Sequence, residues 1–354
     1  MTLTLPDTGV LSFEDLIDRA TPEQLRVVKT ILGEHLAVVD AKRAPTTFLG
    51  IEKELEEALS DKWDKTGKAA VDKGVKTLRD YEEGKITQAR MDKVLADLEA
   101  AMGVKYGTST LPDFRRAVLQ TWRLSSKAEA QKAGVRWTTK LVDETAVKTL
   151  SENHTYWIGK FYGDSLSDGI RFATRKVIVE EGLAGKDAAA RFRRVADSFL
   201  KGKGYTKFPE APPPTWNGTP DDYFAGLGNH VGTQARVFGR IETFGRLDLK
   251  TYRIVAVLDR RTSRVCRLMH GQTFTVEQAQ PTLDAWTSTD PETVKDKAGW
   301  MRIEDLTELA GLTYDKDTVL TSPKISSSGL SDLASAGQAL PPYHFRCRTD
   351  VVSA

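Results

Sequence analysis

Residues 252–271 read Tyr-Arg-Ile-Val-Ala-Val-Leu-Asp-Arg-Arg-Thr-Ser-Arg-Val-Cys-Arg-Leu-Met-His-Gly. The run from Tyr252 to Leu258 is apolar and β-branched, as expected of a buried strand. A polar turn opens at Asp259, and Cys266 and His270 follow in Cys-x3-His spacing. Near the end of the chain stands Pro341-Pro342-Tyr343-His344-Phe345-Arg346-Cys347-Arg348, with His-x2-Cys spacing. These two segments hold both cysteines of the 354-residue chain.

Each cysteine stands beside a histidine, so the segments can converge into one four-point cluster. Thiolate and imidazole are the ligands zinc prefers at a closed tetrahedral site. One reading is therefore a structural zinc site of Cys266, His270, His344 and Cys347, with Asp259 as a spare ligand or a partner behind the ligands. A second reading is a Cys266–Cys347 disulfide, formed late or in a particle released from the cell. A third keeps both thiols as small buried hydrophobes, with Asp259 accepting hydrogen bonds from Thr262 and Ser263 in an Asx-type turn. Sequence alone leaves all three open.

The paired segments resemble the C-terminal domain of the phage Mu F-like proteins, also called SPP1-type head morphogenesis or minor head (minor capsid) proteins. The positions that carry the resemblance are Asp259, Arg261, Thr262, Ser263, Cys266, Gly271 and Phe274, then Pro341, Pro342, His344, Cys347 and Arg348. It covers roughly the last third of the chain. Some relatives carry extra cysteines in both halves, whereas this chain has one per half. The resemblance implies a virion protein that binds the portal on the inner side of its vertex, with major capsid or scaffold protein as further partners. It implies a structural part in procapsid assembly, genome packaging or DNA ejection, and no enzymatic turnover.

Composition agrees with a folded chain large enough for two or three units, at 40% hydrophobic and 28% charged residues. A formal net charge of +2 gives no global nucleic-acid signal. Locally, Lys250, Arg253, Arg260, Arg261, Arg264 and Arg267 face one acid, Asp259, between residues 250 and 270. Lys250, Arg253, Arg260, Arg264 and Arg267 are candidate contacts to an acidic partner or to packaged duplex DNA, without sequence preference. Two cysteines exclude a disulfide-stapled secreted scaffold. No apolar run approaches a membrane span, and the N-terminus lacks the layout of a signal peptide. The expectation is a chain kept in the host cytoplasm until it is carried in a particle.

The fold expected is α+β: mostly helical N-terminal and middle regions with a small mixed α/β module at the C-terminus. Residues 1–150 form the helical N-terminal region, 151–208 a helical middle, 209–220 a Pro-rich connector, and 221–354 the C-terminal module with an insertion at 281–340. Thr21-Pro22-Glu23-Gln24 starts a helix with Leu25, Val28, Leu32, Leu36 and Val39 on one face. From Ile51 to Met102 apolar residues are sparse, which favours a hairpin serving as an elongated interaction arm. A new helix is expected near Pro112, and another over about 140–150. Asp221 and Asp222 cap a helix with Phe224, Leu227, Val231, Phe238, Ile241 and Phe244 inside and Arg236 and Arg240 on the opposite face. Residues 323–329 read as a polar loop.

Two other function classes compete: a metal-dependent hydrolase or nuclease, and a DNA-binding protein unrelated to viruses. The chain shows no Gly-rich phosphate loop, Gly-x-Ser-x-Gly or His-Glu-x-x-His. Asp221, Asp222, Glu242 and Asp248 show no acid–base spacing. The expectation is a protein that binds and positions, not an enzyme.

Overall fold

Two long helices open the described part of the chain. In a computed structural model, residues 47–160, 164–180, 185–202, 207, 219–288, 290–297, 300–315 and 320–354 are described. Helix α1 (Phe48–Glu82) and helix α2 (Gln88–Lys132) form the expected hairpin. Thr87 caps α2 by accepting from the Arg90 N–H. On α1 the sparse stripe Ile51, Leu55, Leu59, Trp63, Val71, Val75 and Leu78 is buried throughout. Trp63 meets the Tyr106 ring at 5.4 Å and the Phe224 ring at 6.2 Å, and its indole N–H donates to Leu200 O. The hairpin is therefore covered by its own chain, which departs from the projecting arm expected. A thin stripe is enough because the covering helices supply the aromatic bulk.

The helix expected to begin at Pro112 does not begin there, since α2 runs through that proline. Proline removes one helical N–H and crowds the carbonyl a turn earlier. Here Lys62 donates to Ser109 O, and the hydroxyls of Ser109 and Thr110 donate to carbonyls three residues back. A 3-10 turn (Thr139–Leu141) and helix α3 (Glu144–Ile158) follow, the latter capped by Asp143. Helix α4 (Asp164–Thr174), a π turn (Arg175–Glu180) and helix α5 (Gly185–Leu200) make up the middle. Phe192 and Phe199 of α5 are buried core residues.

Helix α6 (Pro220–Arg246) is the central strut. Thr219 is its cap, in a reciprocal box with Asp222 and with Pro220 in the first turn, so the acids expected to cap sit inside the helix. Gly228 and Gly232 let α1 approach closely: a methyl on Gly228 would stand 2.6 Å from Glu52 O. Arg236 and Arg240 do not face solvent as expected; they are 6% and 3% exposed. Arg240 pairs with Glu129 at 3.2 Å and Asp350 at 2.7 Å, and Arg236 pairs with Asp350 at 3.0 Å. Buried guanidinium is tolerated only when paired in this way.

Strand β1 (Thr251–Val255), helix α7 (Arg264–Met269), strand β2 (Thr273–Thr275), helix α8 (Val276–Ser288), helix α9 (Pro291–Lys297), helix α10 (Ile303–Leu309), helix α11 (Ser327–Ser335) and strand β3 (Asp350–Ser353) complete the chain. The sheet is antiparallel in the order β2-β1-β3, with Tyr252 opposite Phe274 on one side and Ser353 on the other. The strand is shorter than the run that predicted it and alternates: Tyr252 and Ile254 are buried, whereas Leu258, beyond its end, is 45% exposed. Residues 323–329 are not wholly loop, because Ser326 caps α11.

The fold is thus mostly helical α+β with a small C-terminal sheet. All described residues belong to one unit, 44–354. The predicted helix at 21–39 and most of the Pro-rich connector lie outside the described residues. No described helix is long and apolar enough to cross a membrane.

Candidate metal centre

Local rules shape the 259–271 turn. The Asp259 carboxylate accepts from the Arg261 N–H at 2.8 Å and from the Thr262 hydroxyl at 3.2 Å. The Asp259 N–H donates to Thr262 Oγ1 at 2.7 Å. Ser263 does not bond Asp259 as expected; it caps α7, its Oγ accepting from the Cys266 N–H at 3.1 Å. The cap fixes the start of the helix and points Cys266 inward, where it is 3% exposed.

The C-terminal tail is held against the same place. Pro341-Pro342 is a cis bond, and Arg346 has φ of 61°. The Cys347 N–H donates to His344 O at 3.2 Å, closing a tight turn. Cys347 O accepts from Thr233 of α6, and the Phe345 ring stacks on Tyr223 at 5.3 Å. Arg348 grips Asp259 through two parallel bonds, Nη1 to Oδ2 at 2.9 Å and Nη2 to Oδ1 at 2.7 Å. Such a fork-to-fork pair fixes geometry as well as charge. Arg348 holds the Asp259 carboxyl well below the usual carboxylate range.

Between these segments three ligand atoms gather. Cys266 Sγ lies 3.1 Å from His344 Nε2 and 3.6 Å from Cys347 Sγ. One atom from each of Cys266, His344 and Cys347 falls within 4.8 Å of the others, so this group can hold a metal ion. Its chemistry suits one. His344 Nδ1 lies 2.8 Å from Phe345 O; protonated there, the ring donates to that carbonyl and turns the Nε2 lone pair toward the sulfurs. Metal-ligating histidines are commonly oriented by such a second bond. Burial pushes the Cys347 thiol up, but bonds from Cys266 and His344 and the imidazole charge outweigh it and hold it well below the ordinary range. The bond to Cys347, with burial behind it, drives Cys266 the other way.

Two of the residues expected at the site stand elsewhere. His270 lies outside the cluster, its Nδ1 accepting from the Ala256 N–H at 3.0 Å as α7 ends. Asp259 is engaged by Arg348 rather than directed at the sulfurs. Ser263, expected as a motif position and a donor to Asp259, instead has its Oγ 2.9 Å from His344 Nε2, and the residue that sequence reasoning missed is Tyr252, whose hydroxyl donates to Ala339 O and anchors the tail. The Ser-x-x-Cys spacing of an N-cap was a readable sign of the first; nothing local announced the second.

The cationic patch is partly consumed by the fold. Arg267 donates to the carbonyls of Asp259 and Thr262, Arg264 to the Tyr314 hydroxyl, and Lys250 pairs with Asp248. Arg253 is half-buried on β1, and Arg260 and Arg261 are exposed on the turn. Comparison with family models, with curated proteins and with solved structures finds no match.

Proposed function

We propose that this chain is a phage or prophage minor head protein, a non-enzymatic component that binds the portal and serves procapsid assembly, DNA packaging or genome ejection. The observation that supports it is the junction of the two motif halves. Residues that resemble the Mu F-like signature, far apart in sequence, contact one another through Asp259–Arg348, Cys266–Cys347 and Ser263–His344. A motif whose members hold each other explains a scaffold better than it explains a catalyst. The largest remaining role of the protein is then presentation of its helical surface to a partner.

Within this reading the cation is zinc with a structural role, ligated by Cys266 Sγ, Cys347 Sγ and His344 Nε2, the fourth tetrahedral position falling to a water or another group. Two thiolates on a tetrahedral zinc stand about 3.8 Å apart, given Zn–S of about 2.3 Å; the sulfurs here are 3.6 Å apart. Zinc would staple the turn before α7 to the tail before β3. Exposed Arg260 and Arg261 would tolerate nearby packaged DNA.

The test is co-expression with a phage portal protein, chosen from the genes around this one; their lack of any portal gene would itself count against the proposal. Expected is a complex that survives size exclusion, and localisation of the chain to the particle. A chain that stays separate from the portal at micromolar concentration, or that cleaves DNA or esters with a metal-dependent rate abolished by Cys266→Ser, would overturn the proposal.

A further inference from the structure

Cys266 and Cys347 are the only thiols in the chain, and their sulfurs lie 3.6 Å apart in the interior. That separation matches a dithiolate metal edge of about 3.8 Å. It also lies within about 1.6 Å of a disulfide bond of about 2.05 Å. Either closure joins the same two points of the fold. His344 fits both as well. It can serve as third metal ligand, or turn its Nε2 to Ser263 Oγ, already 2.9 Å away.

We propose that the clasp has two mutually exclusive closed forms: a metal held by Cys266, Cys347 and His344, and a Cys266–Cys347 disulfide formed once the metal leaves under oxidising conditions. This rests on the metal reading above and adds its regulation. With metal bound, both sulfurs donate electron pairs to the cation and are poor nucleophiles toward oxidant. With metal removed, hydrogen peroxide serves as the oxidant. One thiolate attacks a peroxide oxygen, the O–O bond breaks, and a sulfenic acid and hydroxide form, the hydroxide taking a proton to leave as water. The second sulfur attacks the sulfenic sulfur, the S–S bond forms, the S–O bond breaks, and a second water departs. The sulfurs lose two electrons in total and the peroxide gains them. Both cysteines are nearly inaccessible, at 3% and 0% exposure, so the path favours a small oxidant and disfavours links between chains. The fold would stay clasped in a reducing cell and in an oxidising exterior by different bonds.

The experiment uses the full chain, reduced and zinc-loaded, with half then treated with EDTA. Both halves receive a tenfold excess of hydrogen peroxide, and thiols are titrated under denaturing conditions beside intact mass and non-reduced peptide maps. Expected in the chelated half is loss of both thiols, a mass lower by two hydrogens, and a Cys266–Cys347 peptide that dithiothreitol reverses. The zinc-loaded half should keep both thiols over the same interval. His344→Ala should hold zinc about tenfold more weakly or worse, yet cross-link without chelator. Retained thiols after chelation, sulfinic acid, or linkage between chains would overturn the proposal. So would a chain that cross-links but never takes up zinc, a result that leaves portal association to be judged by its own test.

Discussion

Arg240 shows how a single side chain can tie the molecule together. It is 3% exposed and bridges Glu129 on α2 to Asp350 on β3, while its Nη1 also donates to Val351 O at 2.8 Å. Desolvating such charges is expensive, so the network says little about net stability, but removing one member leaves the others buried and unmatched. Arg240→Met should therefore cost about 3–5 kcal/mol by urea unfolding; a loss under about 1 kcal/mol would show that Lys132, 3.0 Å from Glu129, and Arg236, 3.0 Å from Asp350, suffice to neutralise the acids. None of this was legible in the sequence. Arginine on a helix reads as a solvated face unless its partners are known, and both acids sit on distant elements. Asp259 differs: its turn is local, and the Asp-x-x-Thr pattern announced its own hydrogen bonds. What was not announced is the Arg348 fork, since spacing within each segment says nothing of pairing between them.

Helix α6 places the elements that bear the site. Its apolar positions were readable at helical spacing, but its burial on every side was not, because polar residues such as Thr233, Gln234 and Arg236 are also inside. Close approach of α1 depends on Gly228, where a methyl would meet the Glu52 backbone rather than a flexible side chain. Backbone cannot yield as a side chain does, so Gly228→Ala should destabilise by about 1–3 kcal/mol despite the better helix propensity of alanine. Thermal unfolding checks this; a neutral or stabilised variant would mean that the two helices separate at no cost. The hairpin itself was legible from charge and sparse apolar spacing. Its partners were not, which is why it read as a projecting arm. Likewise Pro112 read as a helix start because proline suits a first helical turn, and nothing local showed that Lys62 of another helix donates to Ser109 O beside it.

Across the whole molecule, pH should act through buried histidines on α3 and α6. His154 and His230 are buried, with rings 6.0 Å apart, and burial lowers them to about 3 and about 4. Unfolded, each binds a proton near pH 6.5, so stability is complete above that value and falls as pH drops toward 4. Between pH 7 and 5 the pair should remove about 4 kcal/mol. Glu52, raised by burial to about 6, works in the opposite direction: its contribution is complete below about 4.5 and is lost as pH rises through 6. It offsets about 1 kcal/mol over the same interval, leaving a net loss of about 2–3 kcal/mol. Urea midpoints across that range measure it, and His154→Gln should flatten the slope; a slope unchanged by that variant would refute the assignment.

The account stands on the two motif halves meeting as one metal-holding clasp, and zinc stoichiometry tests that most directly. Reduced protein exposed to zinc and then desalted should carry one equivalent per chain by elemental analysis. His270→Ala should keep that equivalent, because His270 lies outside the ligand group, whereas Cys347→Ser should lose it. A wild-type chain with far less than one equivalent, or a metal that departs with His270 and remains without Cys347, would contradict the account.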